Sequence, residues 1–148
     1  MENNIKISQL TINDLEQILE IEEEAFITRW SKQFYIKEIT NENSYYIKAK
    51  INNIVVGFAG LNLILDEAHI TKIAVRYEYR KKGIATKLLN YLIDYLKKNN
   101  FKKIYLEVRK FNLPAINFYQ KNLFKIDGIR KGYYIDTNDD AILMSLEI

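Results

Sequence analysis

Cysteine is absent from this chain of 148 residues. That one absence excludes a disulfide framework, a thiolate zinc site and a cysteine nucleophile. Histidine occurs once, at His69, so no metal is expected. Glycine-rich phosphate motifs are missing too. A Walker loop needs Gly, four residues, then Gly-Lys-Ser/Thr, and a dinucleotide fingerprint needs three clustered glycines. The chain has only five glycines, and Gly83 stands alone in its loop. Long apolar runs are also lacking. The longest, residues 54–65, is broken by Asn62 and falls short of the roughly 20 residues of a membrane helix, so no membrane association is expected. Residues 1–4 lack the basic and apolar regions of a signal peptide, and a cytoplasmic protein is expected.

Neither charge sign dominates: 22 basic against 19 acidic side chains leave +3. The stretch from Arg76 to Lys82 holds four basic residues and one acidic, which is also +3. An excess equal to one loop points to a local anion site rather than a nucleic-acid surface. Lys97, Lys98, Lys102 and Lys103 form a weaker group that suits the end of a helix.

Composition and length fit one globular domain over residues 1–148. A first strand is read over Ile5 to Leu10, then a helix over residues 12–26 opened by Thr11 with Asp14 as a capping-box variant. Glu20, Glu22, Glu23 and Glu24 read as its solvated face, or as an attraction for a basic substrate. Ser31 caps a second helix over residues 32–41. Strands over Tyr45 to Ile51 and Ile54 to Leu65 meet at Asn52-Asn53, a two-residue hairpin signal. Gly57 and Gly60 weaken the second of these or mark a close contact. A strand over Ala68 to Val75 follows, with His69 read as structural. Helical spacing runs from Ile84 to about Lys98. Lys103 to Arg109 alternates cleanly, with Ile104, Leu106 and Val108 on one face and Tyr105, Glu107 and Arg109 on the other. Pro114 suits the first turn of a helix over residues 113–122. Phe124 to Arg130 and Ala141 to Glu147 read as final strands, separated by Tyr133-Tyr134 and a polar turn. The order β α α β β β α β α β β fits a mixed α/β fold, with parallel pairing where a helix links two strands and hairpins elsewhere.

Two places could carry chemistry. From Ile73 to Leu89 an apolar strand enters a helix through a cationic turn containing Gly83. Free amides and the helix dipole would meet an anion there, and Arg80, Lys81 and Lys82 add charge. Glu107 stands mid-strand opposite an apolar face. It is either ion-paired with Arg109 or a base whose pKa burial has raised. Tyr119, on the next helix, is a packing residue or a proton donor.

The runs Ile73-Ala-Val, Tyr79-Arg-Lys-Lys-Gly-Ile-Ala, Leu106-Glu-Val-Arg, Asn112, Ala115-Ile, Tyr119, Arg130-Lys-Gly-Tyr-Tyr and Asp140-Ala-Ile-Leu-Met together resemble the GCN5-related N-acetyltransferases (the GNAT superfamily). Within it they look most like the RimI-type enzymes that acetylate the N-terminal alanine of a small-subunit ribosomal protein. The resemblance runs from about Glu22 to Leu146. It implies a GNAT fold, a mixed sheet of about seven strands flanked by about four helices. It implies acetyl-CoA as co-substrate and no metal. The pyrophosphate would rest on the turn from Arg80 through Lys81, Lys82, Gly83 and Ile84 to Ala85. The pantetheine arm would lie along Ile73, Ala74 and Val75 and touch Asn112. Glu107 would be the general base and Tyr119 the general acid of a direct transfer. Trp30, Tyr133 and Tyr134 would border a groove for the acceptor, the N-terminus of a ribosomal protein with a basic tail. A monomer with no direct nucleic-acid contact is expected. A small-molecule amine, or a non-catalytic acetyl-CoA- or RNA-binding role, is the alternative. One departure concerns the helix end at Asn122-Leu123-Phe124, where the family usually has Gly before Phe. Asn122 is expected to take the left-handed conformation there.

Overall fold

The computed structural model describes residues 4–148; residues 1–3, which carry most of the expectation that no signal peptide is present, lie outside the described residues. The elements come in the expected order: β1 (Lys6–Gln9), α1 (Leu15–Ala25), α2 (Lys32–Thr40), β2 (Ser44–Ile51), β3 (Ile54–Ile64), β4 (Glu67–Val75), α3 (Ile84–Lys98), β5 (Lys103–Arg109), α4 (Leu113–Lys121), β6 (Lys125–Tyr134) and β7 (Asp139–Glu147). One seven-stranded sheet runs β1-β2-β3-β4-β5-β7-β6. Among the described residues only β4 and β5 pair in parallel, across the α3 crossover. β1 and β2, also linked by helices, pair antiparallel, and β7 separates β5 from β6, which corrects the expectation of parallel pairing wherever a helix links two strands. Tyr133 and Tyr134 belong to β6 and do not lie between strands.

Each face of the sheet has its own core. Ile84, Leu88, Leu89, Leu92 and Leu96 of α3, with Ile116 and Tyr119 of α4, pack on Ile104, Leu106, Val108, Ile142 and Met144. Leu15, Ile18 and Ile21 of α1 and Tyr35 of α2 pack on Tyr46, Val55, Phe58 and Ala74 on the other side. In α2 the buried residue is Tyr35, while Phe34 is exposed. Local chemistry sets the junctions. The Thr11 N–H donates to Asp14 Oδ2 at 2.8 Å, and Ser31 Oγ accepts from Phe34 N at 3.1 Å. Asn52 and Asn53 both take positive φ (49° and 67°), as a tight hairpin turn demands. Gly60 is a close contact: a Cβ there would lie 2.0 Å from the ring of Tyr46, its cross-strand partner.

Among the irregularities, the bulge in β4 and the end of α4 bear on the site. In β4 the pairing with β3 steps over Thr71, since Gly60 faces Lys72 and Leu61 faces Ile70. That bulge changes which face each side chain meets. Ala68 and Ile70 join the α3 side, whereas Ala74 joins the α1 side. The second is the end of α4. Asn122 stays at φ −95°, and Leu123 itself adopts φ 73°, against the expectation that Asn122 would turn. Phe124 N bonds Tyr119 O and Leu123 N bonds Gln120 O, both at 3.0 Å. This is a Schellman closure, sealed by the Tyr119 and Phe124 rings 5.3 Å apart. Leu123 takes the strained position because the closure and its ring contact are worth more than about 1–2 kcal/mol of left-handed strain.

Candidate active site

β4 and β5 pair only through Glu67–Lys103, Ala68–Ile104 and His69–Tyr105, then part. Arg76 N donates to Val56 O at 2.7 Å, so this N–H points toward β3. Alternation along a strand then turns the N–H and C=O groups of Ile73 and Val75 away from β3, into the gap. Val75 O is met there by Arg80 Nε at 3.0 Å.

The gap ends at the basic turn. Lys81 and Gly83 take positive φ, 62° and 81°, and Gly83 caps α3. The first helical bond runs from Lys87 N to Gly83 O, at 3.1 Å. None of the N–H groups from Lys81 to Thr86 meets an acceptor among the described residues. Six consecutive free amides at the N-terminus of a 15-residue helix make a cradle for an anion. No space around Gly83 is filled within 4 Å of where a Cβ would stand. The loop's formal charge is divided. Arg76 turns away to Val55 O at 2.6 Å and to Glu20 at 2.7 Å, and Arg80 holds the strand end. Lys81 and Lys82 are exposed at the cradle.

At the point where β4 and β5 part, His69 Nε2 lies 2.7 Å from Glu107 Oε1. The imidazole stacks on Tyr105, with centroids 4.9 Å apart, and Tyr133 donates its hydroxyl to Glu107 Oε1 at 3.3 Å. Burial by itself would raise the Glu107 pKa. The hydrogen bond and charge of His69, the Tyr133 hydroxyl and the Arg130 charge outweigh it and hold the carboxyl below its ordinary value. Both sequence expectations for Glu107 are corrected. Its pKa is lowered, because donors converge on it. Its partner is His69, because Arg109 is taken up elsewhere, by Asp136 at 3.0 Å and Asp139 at 3.3 Å.

The sequence makes His69 structural for want of a recognisable partner. That partner is a carboxylate 38 residues away. Alternation puts both residues opposite the apolar faces of their strands, which is a usable signal. The register of β4 against β5, which makes them neighbours, is not legible in the sequence.

Tyr119 lies on the other face of the sheet, with Phe118 and Phe124 against its ring. Its hydroxyl has no hydrogen-bond partner among the described residues, and the residue is 8% exposed. Burial pushes its pKa well up. Asn112 caps α4, its Oδ1 accepting from Ala115 N at 3.2 Å, which leaves its amide N–H groups free.

Trp30, partly exposed, packs against a buried cluster. Glu22, 1% exposed, accepts from Trp30 N at 2.7 Å, from the Tyr35 hydroxyl and from Lys72 Nζ. Lys72 Nζ also lies 4.0 Å from the Phe26 ring centroid and 4.1 Å from that of Trp30. Of the acidic run, then, Glu22 is buried and Glu20 pairs with Arg76, while Glu24 accepts from Tyr77 N at 2.8 Å. Glu20, Glu23 and Glu24 are exposed, so the reading as a solvated face is corrected only at Glu22. The buried Lys72 is invisible in the sequence because the bulge at Thr71 is what turns it inward.

An anion cradle, a strand edge open to a gap and a carboxylate–imidazole pair at the gap's mouth, carried on a seven-stranded mixed sheet, together define an N-acetyltransferase. The chain belongs to the acetyltransferase (GNAT) family, whose model matches residues 15–123. The ribosomal protein bS18-alanine N-acetyltransferase of Escherichia coli (strain K12) is 35% identical over 146 residues, 96% of this chain and 97% of that protein. The crystal structure of the ribosomal-protein-S18-alanine N-acetyltransferase from Escherichia coli matches with a TM-score of 0.90 at 34% identity, over 97% of this chain and 94% of that one. A PaiA N-acetyltransferase from Thermoplasma acidophilum, solved in complex with coenzyme A, matches with a TM-score of 0.84 at 25% identity, over 97% of this chain and 99% of that one. Among the described residues no helix is long and apolar enough to cross a membrane, and no cluster of His, Asp and Glu could hold a metal.

Proposed function

We propose that this chain acetylates the N-terminal alanine of a small-subunit ribosomal protein, in the cytoplasm, by direct transfer from acetyl-CoA. The acceptor is drawn from similarity to the Escherichia coli enzyme. The chemistry is drawn from one observation: the strands part just beyond the His69–Glu107 pair. Glu107 and Tyr119 lie on opposite faces of the sheet, and a gap between β4 and β5 is where one substrate could meet both.

Acetyl-CoA supplies an activated acyl group and a thiolate leaving group. The amides from Lys81 to Thr86 bind its pyrophosphate, helped by Lys81 and Lys82. The open edge at Ile73 and Val75 bonds the pantetheine arm as an added strand, and Asn112 donates to the same arm. Val75 N–H faces the gap and takes the developing charge on the carbonyl oxygen. Glu107, oriented by His69, accepts the proton of the acceptor ammonium, directly or through water. A carboxylate of lowered pKa stays ionised at neutral pH. Tyr119, kept protonated by burial, gives its proton to the departing sulfur and recovers it from solvent. Trp30, Tyr133 and Tyr134 border the acceptor groove.

The test is incubation with acetyl-CoA and a peptide beginning Ala-Arg, beside a panel of small amines, with product mass read by mass spectrometry. Acetylation of the peptide's α-amine supports the proposal. Acetylation of small amines alone would remove the ribosomal protein as acceptor.

A further inference from the structure

We infer that Arg109 is a positioning residue for the acceptor side of the site: it clamps the β6–β7 hairpin over the sheet, so that Tyr133 reaches Glu107 and Asp136 fastens the loop between α1 and α2. The inference rests on the proposed role of Glu107 as the base.

β6 is not a neighbour of β5, because β7 lies between them. Yet Tyr133 bonds Glu107, and the Tyr134 ring lies 4.0 Å from the Arg109 guanidinium carbon. Two consecutive residues of β6 therefore sit on alternate residues of β5, which requires the hairpin to curl across β7. The curl begins where the β6–β7 register breaks, between Arg130 and Tyr134. Gly132 takes φ 62° there, and its N–H is held by Asp140 Oδ1 at 2.9 Å.

The curled hairpin carries Asp136, Thr137 and Asp139, and all three converge on Arg109. Arg109 supplies the restraint. Its Nη1 donates to Thr137 Oγ1 at 2.7 Å and to Asp139 Oδ2 at 3.3 Å, while Nη2 donates to Asp136 Oδ2 at 3.0 Å and Oδ1 at 3.3 Å. Only a planar fork can serve three acceptor residues and an aromatic face at once; a lysine ammonium cannot. Asp136 in turn accepts from the Thr28 hydroxyl. Thr28 lies in the same short loop as Trp30, whose N–H is held by Glu22, and Glu22 is tied to Lys72 of β4. The contacts thus run from β5 through the hairpin and the loop back to β4, around the gap, with Arg109 as the anchor on β5.

Amide hydrogen exchange and steady-state kinetics on Arg109→Gln, Arg109→Lys and Asp136→Asn test this. In Arg109→Gln, residues 131–138 and 26–30 should lose protection together, by about 10-fold or more, with β2 to β4 unchanged. The acceptor-peptide KM should rise by about 10-fold or more while the acetyl-CoA KM stays within about 2-fold. Arg109→Lys should recover less than half of the loss. Asp136→Asn, at a partly exposed partner that threatens folding least, should loosen residues 26–30. Unchanged exchange at residues 26–30 in both Arg109→Gln and Asp136→Asn would overturn the inference, as would equal changes in both KM values. If wild-type protein acetylates no peptide, the proposed role of Glu107 falls, and exchange alone decides whether Arg109 is the clamp.

Discussion

Glu22 and Glu107 are both carboxylates largely taken out of water and bonded to a basic side chain, one on each side of the gap. Their surroundings separate them. Glu22 and Lys72 have side chains 2% and 6% exposed, and both carboxylate oxygens of Glu22 are met by donors the fold itself supplies. Glu107 and His69 are 17% and 23% exposed, and Glu107 Oε2 has no partner among the described residues. A carboxylate enclosed by a lysine, a tyrosine and a backbone amide can only hold structure. One with an open oxygen, beside a side chain that can itself exchange a proton, can do chemistry. Lys72 shows the cost of the first arrangement: burial lowers its pKa against the pull of Glu22.

The sharpest way to break this contrast is Lys72→Met, which leaves Glu22 charged and unpaired. Stability measured by urea unfolding should fall by about 3–5 kcal/mol. The double change Lys72→Met with Glu22→Leu should return most of it. A loss below about 1 kcal/mol in the single variant would mean that the cluster is wet. Glu107→Gln should do the reverse, lowering kcat by about 10²-fold or more with acetyl-CoA affinity nearly unchanged and a much smaller loss of stability than in Lys72→Met. A large loss of acetyl-CoA affinity would instead make Glu107 structural. Tyr119→Phe should slow transfer by about 10²-fold, and wild-type turnover there would assign the ring to packing.

A smaller effect comes from titration. Glu107 is held below its ordinary 4.5, so its stabilisation is present above that value and disappears as pH falls through the lower folded one. The stability difference between wild type and Glu107→Gln should be flat at neutral pH and shrink only in acid. In His69→Gln the Glu107 carboxyl should titrate higher, as monitored by carbon NMR. The smallest effect lies outside both regions. Leu123→Gly removes a left-handed strain at a side chain 80% exposed and should add about 0.5–1 kcal/mol, net of the chain entropy glycine costs, with activity unchanged.

Much of the fold was legible because its signals are local. Alternation marked β5, helical spacing marked α3, and Asn52-Asn53 marked a hairpin. The order of elements implied parallel pairing wherever a helix links two strands, which holds for β4 and β5 but fails for β1 and β2 and for β5 and β6. The anion cradle was legible for the same reason, since strand, cationic turn and helix are consecutive. Resemblance supplied Glu107 and Tyr119. What failed depended on contacts between distant segments. The ion pair drawn between Glu107 and Arg109 joined residues two apart on one face, when each finds its partner in another element. Glu22 read as solvent-facing because its donors come from residues 30, 35 and 72.

By itself, then, the sequence determined the elements, their order, the cradle before α3 and the absence of cysteine chemistry, all of which depend on residues near one another in the chain. Tertiary structure alone decided which charges pair. Pairing needs register, and here register is displaced by one residue at Thr71, stopped after His69–Tyr105 and broken between Arg130 and Tyr134. Those interruptions of regular hydrogen bonding turn Lys72 inward, open the gap and bring Tyr133 to Glu107, and the balance of packing that produces them is summed over the whole sheet.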